Sequence, residues 1–167
     1  MAVAQSTEYH QSMFDSLKGP ILVYTILAAG YVASMPGKWI WFSWHPLTMI
    51  VSFVLLAANA TLLKRIGGYN NTKLHGILMF CAIIIALFGW YVIYSNKEMS
   101  HKAHVTTLHA KLGVGVLLGY VGLGLFGTVA LDPQWGQFKT NKTFRFAHKI
   151  AGRLMTAGAW IVCVLGE

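Results

Sequence analysis

What most constrains this chain is how seldom a charge interrupts its apolar runs. Stretches at about residues 20–38, 44–63, 73–95, 107–131 and 144–165 each approach the twenty or so apolar residues that cross a bilayer as a helix. Only 11% of the 167 residues are charged, against about 25% in an average soluble domain. The chain therefore reads as all-α, a polytopic membrane bundle of about five transmembrane helices rather than a globular domain with a large core. Residues 1–19 are polar and mixed and read as a tail, with a short amphipathic turn around Met13, Phe14 and Leu17. No cleavable signal peptide is visible, so the first apolar helix acts as the anchor.

Punctuation supports the spans. Pro20 opens the first and Pro36-Gly37-Lys38 closes it, with Trp39 to Phe42 as an interfacial continuation. Lys64-Arg65 and Gly67-Gly68 stop the second. Asn71-Thr72 offers caps for the third, and Thr143 for the fifth. The fourth carries glycines at 113, 115, 119, 122, 124 and 127, of which Gly115 and Gly119 form a GxxxG pair, suited to close helix packing or to the approach of a flat ligand. The fifth contains His148, Lys149 and Arg153 and is the weakest span by hydropathy. Cys81 and Cys163 fall inside apolar runs and read as small buried residues, not as a disulfide or a metal site. The +8 net charge among such spans is orientation charge and anion-binding surface, and nucleic acid is not an expected partner.

The histidines carry the chemistry. His45 stands at the entrance of the second span in Phe42-Ser43-Trp44-His45-Pro46, and the proline suits a helix's first turn. His75 lies three residues past Thr72, His109 two past Thr107 and His148 five past Thr143. Successive spans cross in opposite directions, so entrances alternate between the two faces. His45 and His109 then share one face, and His75 and His148 the other. A lone membrane histidine is commonly just hydrogen-bonded to a neighbour; four at matching depth, with none deeper, point to metal or haem. Alternate helices of a four-helix arrangement can face each other across a cofactor, and two imidazoles on opposite sides of a planar ring would give six-coordinate haem iron suited to electron transfer. Zinc fits less well, because two histidines per face lack its third and fourth ligands.

Phe42-Ser43-Trp44-His45-Pro46, Leu74-His75-Gly76, Lys102-Ala103-His104-Val105-Thr106-Thr107-Leu108-His109 and Phe146-Ala147-His148-Lys149 resemble the cytochrome b561 family, in family order and spacing, over about residues 30–166. The resemblance implies a transmembrane oxidoreductase with two haem b groups in helices two to five. Electrons would pass from cytoplasmic ascorbate to monodehydroascorbate or ferric iron opposite. It also implies that His45 and His109 ligate one haem and His75 and His148 the other, the pairing that helix direction gives. The family has six helices and this chain ends after the fifth. The alternative is therefore a haem-binding but catalytically impaired, truncated or regulatory protein of the same type. A histidine-lined metal transporter ranks below both, since acidic residues are absent from the span interiors.

Basic residues orient the chain. Lys18, Lys64, Arg65, Lys73, Lys139, Lys142, Arg145 and Lys149 fall on the face of the amino terminus, and Lys38, Lys97 and Lys102 on the opposite face. The excess makes the first face cytoplasmic, in an endoplasmic reticulum or vesicle membrane. His75 and His148 then hold the cytoplasmic haem. Lys64, Arg65, Lys73 and Lys149 flank it and are candidates for ascorbate. Arg153 lies deeper and is expected to meet a propionate or carbonyl, or to snorkel to the interface; Lys111 raises the same question on the other side. His101 and His104 are candidate contacts for the acceptor. A homodimer is compatible with the pattern. Sequons at Asn70-Asn71-Thr72 and Asn141-Lys142-Thr143 fall on the cytoplasmic face, where they would stay unglycosylated.

Overall fold

The computed structural model describes residues 2–166, with side chains from residue 5. Within them the chain is five helices with no strand. The first, Ala2–Ser34, takes in most of the predicted tail and continues through Pro20. Pairs three and four residues apart support its polar half: Gln11 donates to Asp15 at 3.0 Å, Lys18 donates to Asp15 at 2.6 Å, and Ser16 reaches back to the Ser12 carbonyl. Such pairs leave no composition break at Pro20, so helix and apolar run begin at different residues.

The second helix, Trp41–Ile66, is not uniform. It opens as a 3-10 turn at Trp41–Ser43, is α-helical over Trp44–Ile50, widens to a π-helix at Val51–Leu56 and closes as α over Ala57–Ile66. A π-segment leaves i→i+4 partners out of register, and buried Ser52 uses the room to donate to the Ala82 carbonyl of the third helix at 2.6 Å. Gly67 and Gly68, at φ of 85° and 84°, then turn the chain, a left-handed region open to glycine at little cost.

The third helix, Tyr69–Met99, begins a turn before the predicted Asn71-Thr72 cap. The fourth, Leu108–Leu131, is capped by Thr107, which accepts from the Ala110 N–H. The fifth, Lys142–Val164, is capped by Asn141, not Thr143: the Asn141 side chain accepts from the Phe144 N–H at 3.1 Å. The first four helices are long and apolar enough to cross a membrane. The fifth has 23 residues, a crossing length, but its charges set it apart in composition.

Each helix packs on the next, and the fifth returns to the second at the π-segment, so helices two to five close a ring with the first outside it. The core draws on all four: Phe53 and Ala57, Ala86, Val116, Leu117 and Tyr120, and Ala159. Phe53 and Tyr120 meet ring to ring at 4.9 Å, and the Tyr120 hydroxyl is 3.1 Å from Thr156 Oγ1. Large side chains such as Ile26, Leu27, Ile84, Leu118 and Leu125 point outward, the inversion expected where lipid is the solvent. Cys81 is among the outward-facing residues and Cys163 is half-buried; both are free thiols. Cys81 is therefore not a packing residue of the interior.

The fourth helix's glycines divide by surroundings. A Cβ at Gly119 would strike the Met155 sulfur, and one at Gly124 would sit 2.6 Å from Ile83 Cδ1, whereas Gly115 faces open space. Gly119 alone of the GxxxG pair mediates close packing. Gly124→Val should lower stability by about 1–3 kcal/mol through overpacking, and Gly115→Ala should be neutral or slightly stabilising. Thermal unfolding in detergent measures both.

Candidate functional site

The histidine entrances lie at the two ends of the ring. At one end His45 and His109 face each other with ring centres 6.3 Å apart and planes at 82°. Their outer nitrogens are fixed. His45 Nδ1 donates to the Gly89 carbonyl of the third helix at 2.9 Å, and His109 Nδ1 donates to the Val162 carbonyl of the fifth at 3.0 Å. A carbonyl only accepts, so each Nδ1 carries the proton and each Nε2 keeps its lone pair. At the other end His75 Nδ1 donates to the Ala60 carbonyl of the second helix at 2.9 Å. His148 lies within electrostatic reach of His75. Its ring stacks on Phe126 at 6.1 Å and 29°, and its Nδ1 is buried with no hydrogen-bond partner among the described residues.

The layers are well separated. Gly89 lies fourteen positions after His75 and Val162 fourteen after His148, which at about 1.5 Å per residue is about 21 Å of helix. That separation is shorter than a hydrocarbon core of about 30 Å, and Phe53 and Tyr120 lie between the layers.

The donor set limits what the layers can hold. Metal–imidazole bonds of about 2.0–2.1 Å, plus about 1.2 Å from nitrogen to ring centre, put two coaxial ligands with centres about 6.4 Å apart. The 6.3 Å spacing of His45 and His109 meets that requirement. Among the described residues no three histidine, cysteine or carboxylate side chains converge as a metal site. Two imidazoles per layer suit an ion whose other ligands come from a planar macrocycle. Glycines sit against the rings: a Cβ at Gly166 would lie 3.1 Å from His109 Cε1, and one at Gly127 3.2 Å from His148 Cε1.

Residues 44–167 match the eukaryotic cytochrome b561 family. The chain belongs to that family. It is thus an integral membrane protein of a haem b-binding family. Transmembrane reductase CYB561D2 of Bos taurus is 32% identical over 175 residues, covering 86% of this chain and 77% of the bovine protein. The Mus musculus protein of that name is 29% identical with the same coverage. The ascorbate-specific transmembrane electron transporter 1 of Zea mays is 29% identical over 105 residues, covering 60% of this chain and 44% of its own length.

For a b561 chain the charged residues fall into distinct roles. Lys64 lies within electrostatic reach of His75, His148 and Arg145, and its Nζ donates to Thr72 Oγ1 at 2.7 Å. Among the described residues no carboxylate pairs with Lys64 or Arg145. Arg145, by sequence only an orientation charge, is thereby a further candidate at this end. Its place three residues before His148, on the same helix face, was the available signal. Lys73 is committed elsewhere: it pairs with Asp132 at 3.1 Å and lies 4.0 Å from the Trp135 ring centre. Arg65 and Lys149 are exposed at the same end, Lys149 near the Phe146 ring at 5.8 Å. Arg153 and Lys111 are exposed on outer faces. Opposite, His104 Nε2 is 2.6 Å from Glu98 and its ring stacks on Tyr94 at 4.5 Å, while His101 is exposed at φ 52°.

Asp132 organises the loop between the fourth and fifth helices. Burial pushes its carboxyl upward, but the Gln134 N–H, the Lys73 ammonium and the Trp135 N–H outweigh that and hold it below the usual carboxylate range. A depressed folded-state value stabilises the protein above the unfolded value, and the contribution is lost as pH falls through the folded one. The melting temperature of the native protein should exceed that of Asp132→Asn at pH 6. The gap should close on acidification below about pH 3.9, the ordinary Asp value.

Proposed function

We propose that this chain is a transmembrane di-haem reductase that moves electrons from cytoplasmic ascorbate to monodehydroascorbate or ferric iron on the other side. The observation that carries the reading is the His45–His109 pair, with ring centres 6.3 Å apart and both Nδ1 protons turned to carbonyls of other helices. His45 and His109 would hold one haem b, and His75 and His148 the second. Such a bis-imidazole haem supplies reversible one-electron chemistry with no open position for O₂.

The chain's own residues do the remaining work. The carbonyls of Gly89, Ala60 and Val162 fix the tautomer and aim of three imidazoles. The Phe53–Tyr120 layer fills the space between the two ends, so electrons have a short path where protons and water have none. Lys64 and Arg145, without a carboxylate partner among the described residues, present positive charge at the His75/His148 end, and ascorbate is an anion at neutral pH that would accept charge-assisted hydrogen bonds. Arg65 and Lys149 add attraction at longer range. Lys73, held by Asp132, shapes the loop and is not free to bind substrate. On the far side His101 and the Glu98-tethered His104 are the contacts for the acceptor. The excess of basic residues at the His75/His148 end supports a cytoplasmic amino terminus, and the names of the bovine, murine and maize relatives support the reaction class.

Haem content tests the reading: two haem b per purified chain are expected, and zero overturns it. His109→Ala and His148→Ala should each lose one. Ascorbate should reduce the native protein and a ferric chelate reoxidise it. Lys64→Gln and Arg145→Gln, each removing about 1 kcal/mol of partly screened attraction, should raise the ascorbate KM roughly fivefold while dithionite still reduces all the haem.

A further inference from the structure

The fifth helix, Lys142–Val164, presents its charges away from the ring. Lys142, Lys149, Arg153, Trp160 and Val164 are all exposed. Their spacings of seven, four, seven and four residues place them on one side of a helix. Met155, Ala159 and Val162 take the other side and pack in the core. Ionisable side chains in a membrane helix ordinarily turn toward the bundle interior or pair with one another. Here they face outward, on the surface that lipid covers. Arg145, in reach of Lys64, lies on the flank and is not part of this stripe.

The stripe has no counter-charge of its own. Of the five acidic residues, Asp15 pairs with Lys18, Glu98 with His104 and Asp132 with Lys73. Among the described residues no carboxylate pairs with Lys142, Lys149 or Arg153. Lys149 and Arg153 are one turn apart, with Cβ atoms about 5–6 Å from each other, and like charges at that spacing repel. One phosphate placed between them would remove the repulsion and accept charge-assisted hydrogen bonds from both.

Depth selects the source of that phosphate. Arg153 stands five positions past His148, about 7.5 Å further toward the middle of the bilayer. Helical side chains lean toward the helix N-terminus, so Arg153 extends back toward Lys149 and meets the headgroup layer from below. Beyond Arg153 the stripe is apolar. Ala157 and Trp160 lie four and seven positions on, about 6 and 10 Å, inside the roughly 15 Å that one leaflet contributes to the hydrocarbon core. The opposite end of the bundle lacks such a stripe: Lys111 is exposed on an outer face, and no basic residue stands three or four positions from it.

We propose that the outer face of the fifth helix binds one anionic phospholipid, its phosphate held between Lys149 and Arg153 and its chains lying along Ala157 and Trp160. A zwitterionic lipid brings its own cation and leaves the three basic residues uncompensated. The site does not depend on the haem reading.

Native mass spectrometry of the full chain in detergent, titrated with phosphatidylserine or with phosphatidylcholine of the same chains, is the test. One phosphatidylserine should be retained about tenfold more tightly than phosphatidylcholine, and Arg153→Gln and Lys149→Gln should each weaken it about fivefold. Lys111→Gln, which removes an outward cation at the other end, should leave it unchanged. Should Arg153→Gln fail to fold, Lys149→Gln and the preference of the native chain decide. Equal retention of the two lipids overturns the inference, as does unchanged phosphatidylserine binding in a folded Arg153→Gln or an equal loss in Lys111→Gln. Displacement of the lipid by excess inorganic phosphate would assign the stripe to a soluble anion and overturn it. A native dimer that Arg153→Gln dissociates would show a second copy on this face and overturn it too.

Discussion

The structure depends on imidazole Nδ1–H groups meeting main-chain carbonyls of neighbouring helices. In hydrocarbon every backbone polar group must be satisfied inside its own segment, so a helix has few acceptors to spare. A carbonyl oxygen has two lone pairs, however, and the second remains after the helical bond is made. His45 and His75 use that second lone pair on Gly89 and Ala60, and His109 meets the Val162 carbonyl in the last turn of the fifth helix. Each bond joins two helices and orients a ring. These three bonds hold the helices that frame the site as well as the rings.

Close approach of the helices makes these bonds possible. Gly89 and Ala60 are both buried, and a Cβ on Gly89 would collide with the Thr48 hydroxyl. Small residues let a ring reach the backbone instead of stopping against a side chain. The π-segment at Val51–Leu56 contributes where it lies against the third helix, pinned by Ser52 to the Ala82 carbonyl. The Phe53–Tyr120 layer then separates two histidine layers about 21 Å apart.

Charge distinguishes the two ends. At one, Asp132 neutralises Lys73 and ties the fourth-to-fifth loop to the third helix, while Lys64, near His75 and His148, and its neighbour Arg145 have no carboxylate partner among the described residues. At the other, Glu98 holds His104 and aromatic rings crowd the entrance, Trp41 donating to Ser95 at 2.7 Å. The two ends therefore present different charge to whatever approaches them.

Much of this was legible in the sequence. Span number and direction follow from hydropathy and alternation, and direction alone assigns His45 with His109, which the structure brings ring to ring. The b561 motifs made the family recognisable. Helix starts were less legible: Asn141 in place of Thr143, and Ala2 well before Pro20, depend on local side-chain pairs that hydropathy does not register. Residue type and spacing determined which histidines share an end, because a helix's direction is a one-dimensional property. Partners are three-dimensional, and only the tertiary structure decided them. Packing removed Lys73 from the free cations, brought Arg145 into electrostatic reach of Lys64, and left His148 Nδ1 against Phe126 while its three counterparts found carbonyls.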